Sequence, residues 1–194
     1  SVAKTADQQQ DASRALLRAV NRLVAKEIPL AQSEVLAQWY HLVIREFVFL
    51  PDFEPSGAWI AAKLRGLITP RQAEESLALL VRAGFLVCDP GERPGHTGRY
   101  RAVDPVVDTG NAYDQVRIIN AHTQTLGVWQ KLLQNLHSEE RELGLTHIPI
   151  NSDKIPEFKR RIRAFQEEII GWLQDEKNPD RVVQLGVYLV PVSR

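Results

Sequence analysis

The stretch from Ile68 to Asp104 constrains this chain more than any other, because it reads as a capped helix followed by a two-stranded hairpin. Thr69-Pro70-Arg71-Gln72 is a helix start with a mechanism. The Thr69 hydroxyl can accept from a free backbone N–H of the first turn. Pro70 sits where a missing N–H costs nothing, and the Gln72 side chain can reach back to close a capping box. Ala73, Leu77, Leu80 and Val81 then recur at helical spacing, and Gly84 supplies a left-handed stop. Phe85 to Cys88 is a short apolar strand, Gly91, Pro94, Gly95 and Gly98 make a turn-rich tip, and Arg99 to Val103 returns with alternating character. Helix and then glycine-tipped ribbon is the order of the second half of a winged helix-turn-helix.

The chain before this stretch supplies the remaining helices. Residues 1–11 are polar and expected to fray. Ala12 to Val24 carries an apolar stripe at helical spacing, ended by Pro29. A second helix is predicted over 33–50, with Leu36, Trp39, Tyr40, Val43, Phe47 and Val48 as a broad apolar face and Pro51 as its stop. Arg45 and Glu46 are expected to be partly solvated, with a buried ion pair as the alternative. His41 is read as a flanking histidine with one hydrogen bond rather than as a ligand or proton carrier. Ser56 caps a short helix through Trp59, Ile60 and Leu64 that ends at Gly66. Residues 33–104 thus form one winged-helix module, after an N-terminal helix and linker over 1–32.

Pro105 and Gly110 punctuate the chain, and residues 105–194 form a second module. A long helix is predicted over 112–138, with Gly127 as a point where it loosens or kinks. Residues 143–150 are a candidate strand. Ile155, Phe158, Ile162, Phe165, Ile169 and Trp172 alternate gaps of three and four, a heptad-like seam. Val183, Leu185, Val187 and Leu189 alternate with Gln184, Gly186 and Tyr188, the pattern of a half-buried strand. The fold class expected is therefore α+β and mostly helical: a winged helix-turn-helix, a long helix and a C-terminal strand–helix–strand unit. Two strands alone make a marginal sheet, so a second copy is expected to complete it, giving a homodimer.

Formal net charge is zero, where a DNA-binding domain usually carries a basic excess. The single cysteine, Cys88, excludes an internal disulfide framework and a cysteine-based zinc site; it is read as a core thiol in a reducing, cytoplasmic setting. No apolar run approaches membrane-spanning length. The chain opens at Ser1 and contains no methionine, so a preceding piece is expected.

The pattern from Trp39 onward resembles an uncharacterised bacterial family of predicted transcriptional regulators, which share a domain of unknown function and usually carry a small repressor-like helix-turn-helix in front. The residues that carry the resemblance are Trp39-Tyr40-His41, Ile44-Arg45-Glu46, Pro51-Asp52, Trp59-Ile60-Ala61, Ile68-Thr69 and Gly84-Phe85-Leu86. They continue with Thr109-Gly110, His122, Ile155-Pro156 and the run Asp180 to Leu185 closed by Pro191. The resemblance implies a DNA-binding head in front of this chain, and no catalytic motif.

If the winged helix meets DNA directly, Arg71, Gln72, Arg93, Arg99 and Arg101 are the residues to do it. Glu74, Glu75, Asp89, Glu92 and Asp104 balance them, so a protein-docking scaffold, with DNA read by the absent head, is the competing reading. Lys159, Arg160, Arg161 and Arg163 are the densest basic cluster, either a nucleic-acid or acidic-partner patch or a solvated face balanced by Glu157, Glu167 and Glu168. A third reading is a small-ligand sensor with a pocket of Trp39, Tyr40, Trp129 and Trp172. His137 and His147 near Glu139, Glu140 and Glu142 lack a recognised metal-ligand spacing, and no phosphate loop, dinucleotide fingerprint or nucleophile elbow is present. The expectation is a non-enzymatic protein without metal or cofactor.

Overall fold

In a computed structural model of the protein, the described residues are 30–89, 98–103, 115–173 and 176–193. The element order is α1 (Leu30–Val35), α2 (Tyr40–Phe47), α3 (Gly57–Lys63), α4 (Pro70–Arg82), β1 (Leu86–Asp89), β2 (Arg99–Ala102), α5 (Gln115–Asn135) and α6 (Ile155–Leu173). Short 3-10 turns lie at Ser138–Glu140 and Ser152–Lys154. The protein is mostly helical, with one antiparallel two-stranded sheet among the described residues. The helix expected over 12–24, the hairpin tip at Gly91, Pro94 and Gly95, Arg93, and the junction at 104–111 lie outside the described residues.

The start of α4 forms as its sequence dictates. Thr69 Oγ1 accepts from the Gln72 N–H at 3.2 Å, and Gln72 Oε1 accepts from the Thr69 N–H at 2.8 Å. At the other end Gly84 has φ +79°. Its N–H donates to Val81 O and that of Phe85 to Leu80 O, the paired bonds of a Schellman stop. Helix α3 is capped by Ser56, whose hydroxyl accepts from the Trp59 N–H at 3.1 Å. It ends on the same pair of bonds, with Arg65 taking the left-handed position at φ 55° ahead of Gly66.

The single helix expected over 33–50 is two. Helix α1 stops at Val35, turns carry the chain to Trp39, and α2 begins at Tyr40. The break frees the Ala37 carbonyl, which accepts from Gln124 Nε2 on α5 at 3.0 Å. Val35, Leu36, Tyr40, Ile44 and Phe47 are all buried on the two pieces. Tertiary packing has overridden the local helical pattern here.

Among the described residues the buried core lies between Val35 and Leu86, with Val182 packed against it. It gathers Ile44, Phe47, Ile60, Leu77 and Leu80 with Leu86 from β1, while Tyr100 and Ala102 from β2 pack against it. Edge-on ring contacts run from Phe47 to Trp59 (5.8 Å), Trp59 to Phe53 (5.6 Å) and Phe53 to Tyr100 (6.3 Å). These tie the hairpin to the tryptophan-bearing helices. Helices α3 and α4 meet closely, since a Cβ on Gly57 would lie 2.4 Å from the Pro70 carbonyl oxygen. Two core expectations need correction: Val81 is exposed and Leu79 is buried in its stead, and Cys88 is half-buried across from Tyr100 rather than in the core.

The C-terminal strand–helix–strand reading also needs correction. Helix α6 forms, but residues 143–150 and 183–189 pair with no strand among the described residues. Both segments are solvent-exposed throughout. Residues 183–189 lie along α5 through side chains instead of a backbone ladder: the Trp129 indole N–H donates to Gln184 Oε1 at 3.1 Å, and Tyr188 contacts His122 at 3.2 Å. A Cβ on Gly186 would lie 2.3 Å from the Trp129 ring, so the missing side chain is what allows this approach.

Candidate functional site

The outer face of α4 and the hairpin carries the residues singled out for DNA, and their charges are largely committed. Arg71 Nε donates to Glu75 at 2.8 Å, one turn along the helix. Arg82 reaches Glu34 on α1 at 3.2 Å. Arg101 grips Asp89 across the sheet with two hydrogen bonds, 2.8 and 3.2 Å, which hold the Asp89 carboxyl below its usual range. Arg99 stands opposite Asp89 in the ladder and adds to that field. Gln72 is engaged in the capping box: its side-chain oxygen takes the Thr69 N–H and Thr69 Oγ1 takes the Gln72 N–H, so neither backbone donor is open to a phosphate. These pairs are exposed and screened by solvent, so an incoming phosphate can displace them, but the carboxylates would remain beside it.

A buried polar group lies beneath that face. His41 and Ser76, both buried, share a hydrogen bond of 2.7 Å between Nδ1 and Oγ, joining α2 to α4. Burial pushes the His41 imidazole down to about 4, so it is neutral near pH 7. One turn on, Arg45 is 0 % exposed, against the expectation of a partly solvated side chain. It pairs with Glu46 and lies 6.0 Å from the centre of the Phe49 ring, while its Nε and Nη2 meet no acceptor. Sequence reasoning missed this burial, although the signal was present: positions 41, 44 and 45 share one face of α2 at helical spacing. The charge on Arg45 argued for solvent, and the packing of the helix decided otherwise.

The four aromatics proposed as a pocket have separate ring neighbours or none among the described residues. Trp39 packs edge-on against Tyr40 at 5.8 Å, Trp129 packs against Tyr188 at 6.2 Å, and Trp172 on α6 is 76 % exposed. A shallow hollow of about 230 Å³ lies elsewhere, between Pro51, Asp52, Asn178, Pro179 and Asp180. Its two carboxylates are taken, Asp52 by Lys63 and Asp180 by Arg181. Among the described residues no three His, Cys, Asp or Glu side chains come together as a metal cage.

The basic cluster on α6 is partly neutralised from within its own helix. Glu157 accepts from Arg160 at 2.7 Å and from Arg161 at 2.9 Å, and these two bonds lower its carboxyl to about 2. Lys159 and Arg163 stand on the same helix, all four on an element with no buried side chain. No helix among the described residues is long and apolar enough to cross a membrane.

Residues 19–192 match the sequence profile of a family described as a domain of unknown function, DUF4423. No curated protein and no solved structure matches the chain.

Proposed function

Because the chain belongs to this DUF4423 family across nearly its whole length, we propose that it is the non-enzymatic regulatory part of a bacterial transcriptional regulator, a winged-helix module joined to a dimerisation module. The observation that carries the reading is the single core shared by α2, α3, α4 and the β1–β2 hairpin, in the helix–helix–helix–ribbon order of a winged helix. Helix α4 takes the place of the recognition helix, and β2 carries Arg99 and Arg101 on the ribbon. Residues 115–193, in which none of the described side chains is buried, serve as the module that meets a second copy.

Contact with DNA through this face is weak by design of its charges: Arg71 and Arg101 must each leave a carboxylate to reach a phosphate. The ion pairs favour a second reading, in which the winged helix docks protein and DNA is read by a head domain in front of this chain. A mobility-shift measurement with duplex DNA separates the two. Direct contact predicts retardation at low salt that fades steeply as salt rises, and loss of retardation in the Arg99→Ala, Arg101→Ala double variant. No retardation at low salt, or retardation unchanged in the double variant, removes this face from DNA contact and leaves the docking reading.

A further inference from the structure

Helix α6 carries an apolar seam of which Ile155, Phe158, Ile162 and Ile169 are half-buried and Phe165 and Trp172 are exposed. Phe165 is 47 % exposed and Trp172 76 %, and the helix packs chiefly on the 3-10 turn before it. Two properties of the seam select its occupant. Its gaps run three, four, three, four, three from Ile155 to Trp172, a series that reads the same in both directions. Its charges are polar along the axis: residues 155–164 carry four cations and one carboxylate, and residues 165–173 carry Glu167 and Glu168 with no cation. A parallel copy would set like charges side by side. An antiparallel copy sets each basic half against an acidic half.

We propose that α6 is the contact between two copies of this chain, packed antiparallel about a two-fold axis that passes between Arg163 and Ala164. In that register Ile162 meets the partner subunit's Phe165, Phe158 the partner subunit's Ile169, and Ile155 the partner subunit's Trp172. Arg161 flanks the seam on the same side as the partner subunit's Glu168, and the symmetry makes this pair twice. Arg161 is held in its own chain by Glu157, a carboxylate it shares with Arg160, so it can turn to a new partner without leaving Glu157 unpaired. The seam is ~26 Å long at 1.5 Å per residue, shorter than a standard interface demands, so the dimer is expected to form at micromolar rather than nanomolar concentration. The inference rests on the reading of residues 115–193 as a dimerisation module and assigns its contact.

Sedimentation of the full chain across a concentration series tests it. The natural chain is expected to dimerise. Arg161→Glu and Glu168→Arg, each alone, should loosen the dimer by about tenfold or more through like-charge contact, and the two together should restore it. Helix content by circular dichroism confirms that each variant folds. A dimer indifferent to both single variants and to Phe165→Asp overturns the α6 contact while dimerisation itself stands. A chain that stays monomeric overturns both. A monomer whose melting temperature falls with Phe165→Asp would also overturn the contact, and would show that the seam is covered within its own chain.

Discussion

Residues 35–102 and residues 115–193 are comparable in length and in their share of helix, yet only the first carries a core. Every buried side chain among the described residues falls between Val35 and Leu86. The second region has two helices longer than any described in the first, and none of their described side chains is buried. Helix length is therefore no guide to where the stability sits. An amphipathic helix is stable in water when its apolar face meets another surface, and propensity alone contributes little. The first region closes its surfaces on itself through α2, α3, α4 and the hairpin. The second leaves apolar side chains exposed on two elements, Phe165 and Trp172 on α6 and the row Val183, Leu185, Val187, Leu189.

The sharpest way to break this contrast is to truncate one side chain in each region. Leu80, 0 % exposed in the core, should cost roughly 2–5 kcal/mol as Leu80→Ala. Phe165→Ala on α6 removes a larger side chain, yet in dilute chain it should change urea stability by less than about 1 kcal/mol. Equal losses from the two variants would show that α6 is covered within its own chain.

A pH titration probes the same contrast through one buried group. The His41 imidazole lies near 4 in the folded chain and near its ordinary 6.5 when unfolded. Between those values the unfolded chain holds the extra proton, so folding stability falls as pH drops through the window from 6.5 to 4. The full loss is on the order of 3 kcal/mol, and stability is complete above pH 6.5. Unfolding free energies measured across this window should slope in the natural chain and flatten in His41→Gln. The second region has no counterpart, because its lowered carboxylate, Glu157, is fully exposed and titrates near 2. An unchanged slope in His41→Gln would place the pH sensitivity in another group.

How far each region was legible in the sequence follows from the range of the interactions that shape it. The Thr69 and Ser56 caps and the Gly84 stop depend on atoms within a few residues, and the sequence pattern located all three. The break between α1 and α2 was hidden because the Ala37 carbonyl is taken by Gln124, 87 residues along the chain. Arg45 was on the buried face by spacing and outside it by charge, and spacing prevailed. The alternation of residues 183–189 was read with the right period and the wrong outcome. The expected buried row was Val183, Leu185, Val187 and Leu189, but Gln184, Gly186 and Tyr188 face α5. Gly186 was the available signal: a glycine inside an alternating run marks a close approach, here to the Trp129 ring. Of the proposed DNA residues, Arg71 and Gln72 lie on α4 and Arg99 and Arg101 on β2, while Arg93 is outside the described residues; the ion pairs of Arg71 and Arg101 depend on side-chain geometry that spacing alone does not resolve.

The smallest expected effect sharpens the comparison at the level of a single hydrogen bond. Thr69 caps α4 with a side-chain acceptor and fixes the turn between α3 and α4, so Thr69→Ala should cost about 1 kcal/mol in chemical unfolding. Asn151 occupies the corresponding place before the Ser152–Lys154 turn that leads into α6, and its side chain makes no capping bond. Asn151→Ala should therefore leave unfolding unchanged within about 0.3 kcal/mol, although asparagine is as good a capping residue as threonine by type. The two substitutions remove similar chemistry from similar positions, and only one removes an interaction. A loss at Asn151 matching that at Thr69 would mean that the entry to α6 is held in solution by a bond the folded chain gains only when α6 has a partner, and would move that turn from the open region into the closed one.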